Sequence, residues 1–152
     1  PRFPVSSRLT SHWKWCRDVD MVELTRSFEL EVEMIDSDHR RLVEIINEIT
    51  QAIDDGRPAE CERLVPEFVE FSKQHFAREE ALLAKNGYPQ IGNHRKHHAS
   101  LDEKMQTMLT LAARVVESPA ARDALRKELI FFLMDDVINE DMGFKSFLND
   151  AK

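Results

Sequence analysis

The sequence predicts an all-α protein, an antiparallel up-down-up-down four-helix bundle with an N-terminal arm. Three observations carry that prediction. Apolar residues recur at spacings of three and four in four separate blocks. Turn-forming residues fall in the gaps between the blocks. With 4 glycines and 6 prolines in 152 residues, the chain has little material for a many-stranded sheet or long loops. The length suits one domain. Residues 28–150 are expected to form the bundle and residues 1–27 an arm or extension, packed on it through Trp13 and Trp15.

The first block runs from about Ser37 to Ile53, where His39, Leu42, Ile46, Ile49 and Ile53 share one face. Asp54 to Pro58 stop it. The second spans about Ala59 to Lys85, with Leu64, Phe68, Phe71, His75, Glu79 and Leu82 as its stripe. Pro66 lies inside it and predicts a kink or a late start to the regular helix. Asn86-Gly87-Tyr88-Pro89 is a turn, with Gly87 as the C-terminal cap. The third block starts near Gln90 and steps through Ile91, His94, His98, Leu101, Met105, Met108, Ala112 and Val115. Ser118 and Pro119 then supply an N-cap and a first helical residue. The fourth helix is expected to continue to about Leu148, through Leu125, Leu129, Phe132, Leu133, Val137, Phe144 and Phe147. Only Phe28 to Ile35 (FELEVEMI) alternates as an extended segment would.

A net charge of −7 speaks against nucleic acid as a partner, because phosphate binding needs a basic face. No apolar run approaches the roughly 20 residues of a membrane span. The first residues lack the apolar centre of a secretion signal. Cys16 and Cys61 are far apart and read as free thiols of a reducing compartment. The expected location is therefore cytoplasmic, with no membrane partner.

Polar residues on the apolar stripes point to function. His39, His75, His94 and His98 are in phase with the core positions of their helices, and so is Glu79. A single histidine on such a stripe is ordinarily a satisfied core residue. Several of them on three helices, with a carboxylate, would cost several kcal/mol if buried without strong partners. A metal centre supplies those partners together. His94 and His98 are one turn apart, as are His75 and Glu79, so each pair can address one ion. Mixed imidazole and carboxylate donors in a bundle suit iron or manganese, with zinc a third candidate. The stripes hold no cysteine, which argues against structural zinc or an iron–sulfur cluster. A carboxylate can bridge, and the donors exceed the needs of one ion, so two metals are expected.

Four segments, IDSDH (35–39), HFAREE (75–80), YPQIGNHRKHH (88–98) and DVINED (136–141), resemble in order the motifs of the hemerythrin family in its bacterial form. The resemblance covers about residues 28–148. It implies a non-haem centre of two iron ions (Fe2+/Fe3+) with an oxo or hydroxo bridge, binding O2 reversibly at one iron. Carried over by position, His39 and His75 would hold the iron that binds O2, and His94 and His98 the other. Glu79 and Asp141 would bridge the two. The resemblance also implies an O2 pocket lined by Leu42, Phe76, Phe132, Leu133 and Val137, with Phe132 where many relatives have Trp. A dry pocket slows protonation and escape of bound peroxide, although these five residues read equally as core.

The fourth segment departs from the family pattern. There the family reads His-Ile, three residues, then Asp; here Asp136 stands in place of the histidine and Asp141 is retained. Three readings stay open. Asp136 binds the His94/His98 iron directly; or it is too short, and water or Glu140 fills the gap; or the second iron is weakly held and the site is partly empty or mononuclear. In the first reading the added anion favours ferric over ferrous iron. That predicts fast autoxidation and suits O2, redox or NO sensing, with a fused or docked signalling output domain as partner. A di-iron peroxidase or ferroxidase is the alternative, followed by O2 storage or delivery. Binding is favoured over catalysis, and no residue is assigned a catalytic role. His97, about 100° around the helix from His98, is expected to face solvent or a neighbouring helix. Glu80 is expected to face outward, and His12 has no spacing partner.

Overall fold

A computed structural model of the chain describes residues 22–150. His12, Trp13, Trp15 and Cys16 lie outside them, so the arm expected from the tryptophans does too. Four long antiparallel helices form the bundle: α1 (Glu33–Asp54), α2 (Cys61–Lys85), α3 (Ile91–Ala112) and α4 (Pro119–Leu133). Each packs on the next, and α4 closes against α1. There is no strand among the described residues.

The ends follow the chain's own punctuation. At the C-termini of α1 and α2, Gly56 and Gly87 take φ of 75° and 70°, the left-handed conformation that glycine adopts without steric cost. The next amide then reaches back into the last turn: Arg57 N–H donates to the Ala52 carbonyl at 2.7 Å, and Tyr88 N–H to the Leu83 carbonyl at 3.0 Å. Both are Schellman closures. Gly87 thus lies one residue past the cap, which is Asn86. Ser118 caps α4, its Oγ accepting the Ala121 N–H at 3.1 Å, with Pro119 first in the helix. Pro66 neither breaks α2 nor delays it, since the helix begins five residues earlier and runs through.

Two expectations need correction. The alternating stretch from Phe28 is extended only in part, since Phe28 ends a 3-10 turn, Glu29 and Val32 are extended, and Glu33 to Ile35 are helical. A short 3-10 turn (Arg26–Phe28) leads to α1, which begins at Glu33, four residues before the expected start. The buried Asp36 explains the early start. Its Oδ1 accepts the Leu30 N–H at 2.8 Å and ties the entering chain to the first turn. Nor is the fourth helix regular to Leu148. After Leu133 it widens into a π segment (Met134–Glu140), tightens into a 3-10 turn (Asp141–Phe144) and ends as α5 (Lys145–Asp150).

The core is divided in two. The larger cluster fills the bundle from Ile53, Leu64 and Leu125 to Leu42, Phe76, Leu101 and Val137. A smaller one, Leu30, Ile35, Leu83, Phe144 and Leu148, closes the other end. Val22 joins the large cluster, its backbone N–H and C=O both bonded to the Asn47 side chain at 2.7 Å. Phe68 is fully buried there, edge-to-face with Phe132 at 5.3 Å. Phe68→Ala is expected to cost about 3–5 kcal/mol, read as a lower urea midpoint. A loss below about 1 kcal/mol would mean that the core can collapse around the gap.

Candidate metal centre

Each helical segment of the bundle passes from one apolar cluster to the other through a polar residue. Ile35 and Leu42 flank His39 on α1, and Phe76 and Leu83 flank Glu79 on α2. Ile91 and Leu101 enclose His94 and His98 on α3, while Val137 and Phe144 enclose Asp141. The periodicity that builds the core therefore stacks the polar residues in one layer, sealed above and below. His39, His75, Glu79, His94, His98, Asp136 and Asp141 are all buried.

The π segment brings Asp136 and Asp141 into that layer together. Five residues of α-helix turn about 500°, which would leave the second aspartate about 140° from the first. Winding with i→i+5 bonds brings positions five apart toward one face, and such segments are frequent at functional sites.

Two groups of donors lie close enough to surround an ion: His39, His75, Glu79 and Asp141, and Glu79, His94, His98 and Asp141. Glu79 and Asp141 belong to both. Glu79 Oε1 lies 2.5 Å from His94 Nε2 and 3.2 Å from His98 Nε2, while its Oε2 lies 3.2 Å from His75 Nε2. Asp141 Oδ2 lies 2.7 Å from His39 Nε2, and its Oδ1 3.7 Å from His94 Nε2. Asp136 Oδ1 lies 3.6 Å from His98 Nε2. Neither donor group includes Asp136, and Glu140 is half-exposed and approaches His97 Nδ1 at 3.9 Å, so of the two Asp136 lies nearer the imidazoles of the layer.

Many of these atoms are fully buried without a hydrogen-bond partner: His75 Nε2, His98 Nε2, Glu79 Oε2, Asp141 Oδ1 and both oxygens of Asp136. Buried polar atoms are ordinarily satisfied, and a cluster of orphans aimed inward fits bound cations. Without them the charges rearrange among the side chains. Burial, with Asp136 and Glu79 beside it, pushes the Asp141 carboxyl well above the carboxylate range. Burial alone would lower His75, but Asp141, Asp38 and Glu79 raise it well above its usual value. His98 is raised to about 9 against its burial by Asp136 and Glu79. Burial and His75 hold His39 down at about 4. Metal binding needs neutral imidazoles and ionised carboxylates, so an arriving cation displaces protons from this layer.

The hemerythrin HHE cation binding domain family model matches residues 30–148. The chain belongs to the hemerythrin family. It is similar to the bacteriohemerythrin of Pseudomonas aeruginosa strain LESB58, at 27% identity over 113 residues, covering 74% of this chain and 72% of that one. The bacteriohemerythrin of Stenotrophomonas maltophilia strain R551-3 is 26% identical with the same coverage. That of Clostridium acetobutylicum is 30% identical over 84 residues, covering 53% of this chain and 65% of that one. Membership implies a non-haem di-iron centre, and the two donor groups of this hemerythrin domain are of the chemistry it requires.

Around the donors, the hemerythrin domain places partners that sequence reasoning missed. Asp38 Oδ2 lies 3.1 Å from His75 Nδ1, and Arg78 grips both Asp38 oxygens at 2.9 Å. His75 and Arg78 hold the Asp38 carboxyl below its usual range against the opposing effect of burial. Glu80 does not simply face outward, since its Oε2 is 3.2 Å from His98 Nδ1. Each carboxylate orients an imidazole so that Nε2 points into the layer. His97 faces the neighbouring helix, with Nε2 3.7 Å from Asp136 Oδ1. The signals were faint: Asp38 and Glu80 each adjoin a stripe residue and look like ordinary surface acids. Asp38→Ala is expected to weaken metal affinity about 10–100-fold, measured by chelator competition. Unchanged affinity would reduce Asp38 to an anchor for Arg78.

Leu42, Phe76, Phe132, Leu133 and Val137 are all buried in the large cluster where it meets the polar layer. Phe76 lies against the His98 ring, with centroids 4.0 Å apart and planes 15° from parallel. Cys61 is a free, fully buried thiol pushed up to about 11 by burial. It lies at the far end of α2, away from this layer. Among the described residues, no helix is long and apolar enough to cross a membrane.

Proposed function

We propose that this hemerythrin domain holds two iron ions joined by an oxo or hydroxo bridge and serves as a cytoplasmic O2 or redox sensor, with NO as a further ligand. The observation that carries this reading is the pair of donor groups sharing Glu79 and Asp141 in a sealed layer. His39 and His75 hold one iron, His94 and His98 the other, and Asp136 adds an anionic donor. Bound iron would supply O2 binding and the Fe2+/Fe3+ couple. The chain's own groups fix the imidazoles through Asp38 and Glu80. Leu42, Phe76, Phe132, Leu133 and Val137 keep water and protons from the ligand.

Sensing is preferred to storage because of charge. Glu79, Asp136 and Asp141 place three carboxylates in the layer, and each anionic donor stabilises ferric over ferrous iron. Such a centre responds to O2 by oxidation and does not carry it. The test is iron per chain after anaerobic purification, then absorption on adding air. Two irons and a change that decays to the diferric spectrum are expected. A stable spectrum in air would restore the carrier reading. Sustained consumption of added peroxide would favour the di-iron peroxidase that the extra carboxylate also suits.

A further inference from the structure

The three carboxylates of the polar layer share one arrangement. Glu79 turns Oε1 to His94 and His98 and Oε2 to His75. Asp141 turns Oδ1 to His94 and Oδ2 to His39. Asp136 does the same: Oδ1 lies 3.6 Å from His98 Nε2, and Oδ2 lies 3.9 Å from His75 Nε2. A ligand serving only the His94/His98 side would not need its second oxygen across the layer. Asp136 is wholly buried, and neither of its oxygens has a hydrogen-bond partner. Both are therefore available to cations on their own sides.

We infer that Asp136 is a third bridging carboxylate, and not a one-sided substitute for the fourth-helix histidine. The inference rests on the two-iron reading and deepens it. Each half of the centre then has two imidazoles and one oxygen from each of three carboxylates. The halves become alike in donors, where a histidine at this position would have made them unlike. One further consequence follows from Oδ2. It lies 3.9 Å from His75 Nε2, on the side where the family resemblance puts the small ligand, so that ligand would have to displace it. Asp136 acts as a gate on that side, and its length suits the task. An aspartate on the π segment faces one imidazole of each pair, His98 and His75, from one backbone position, whereas an imidazole presents a single inward nitrogen.

The test is Mössbauer spectroscopy of the anaerobic diferrous protein loaded with iron-57, with iron counted per chain. Two irons and one quadrupole doublet are expected, because equal donor sets give equivalent sites. Two doublets of equal area would overturn the bridge and leave the two-iron reading standing; their merging into one in Asp136→Ala would mark Asp136 as one-sided. One iron per chain would overturn both. A second readout is azide affinity of the diferric protein. It is expected to rise on the order of tenfold in Asp136→Ala, equivalent to about 1.4 kcal/mol, because Glu79 and Asp141 still bridge and the gate is gone. Unchanged azide affinity would overturn the gate.

Discussion

Stripping the metal is expected to lower the melting temperature of the loaded protein by about 20 °C. The reason lies in what the polar layer becomes without cations. His75, Glu79, Asp136 and Asp141 are fully buried, and His39, His94 and His98 nearly so. Orphaned atoms among them face one another across 3.2 to 3.9 Å. Partial relief comes from protonating Asp141 and His75, but a protonated carboxyl still leaves lone pairs unsatisfied. A cation binding the folded chain alone adds about 4 kcal/mol when present at a thousandfold over its dissociation constant, and two such ions add about twice that. For a chain of this size each kcal/mol is worth about 2–4 °C. The check is calorimetry of one preparation before and after reduction and chelation, with reloading to recover the loss. A melting temperature unmoved by chelation would mean that the imidazoles and carboxylates satisfy one another, and the layer would then be a structural network.

Much of this was legible in the sequence because one period does two jobs. The steps of three and four that mark the bundle also mark which polar residues point inward, so His39, His75, Glu79, His94 and His98 could be singled out by phase alone. Asp136 and Asp141 could not, because five residues apart they are out of phase in any α-helix. Their meeting depends on the π segment, which an α-helical phase count cannot anticipate. Phase also misjudged Glu80 and passed over Asp38. Each lies beside a stripe residue, where a surface acid and a carboxylate reaching an imidazole look the same. The early start of α1 escaped notice for a similar reason. It follows from Asp36 turning back to Leu30 across a residue with φ of 62°, Glu31, a conformation that composition does not announce.

Asp136→His is expected to lengthen the decay phase of the protein in air at least about tenfold, roughly 1.4 kcal/mol in barrier. The substitution removes one of three anions from a layer shielded from solvent, where charges are felt strongly. Fewer anionic donors leave ferrous iron relatively better off, so loss to the diferric state slows. Uptake and decay must be separated by rapid mixing, because freeing the His39/His75 side from Oδ2 would quicken uptake. Asp136→Asn is the control for charge. It keeps the shape and one oxygen while removing the anion, so it is expected to share most of the gain. If only Asp136→His gains, the imidazole and not the lost charge is responsible. If neither gains while both keep two irons, the carboxylate does not set the oxidation rate. The sensing proposal would then lose its physical basis, and storage would become the better account of the same centre.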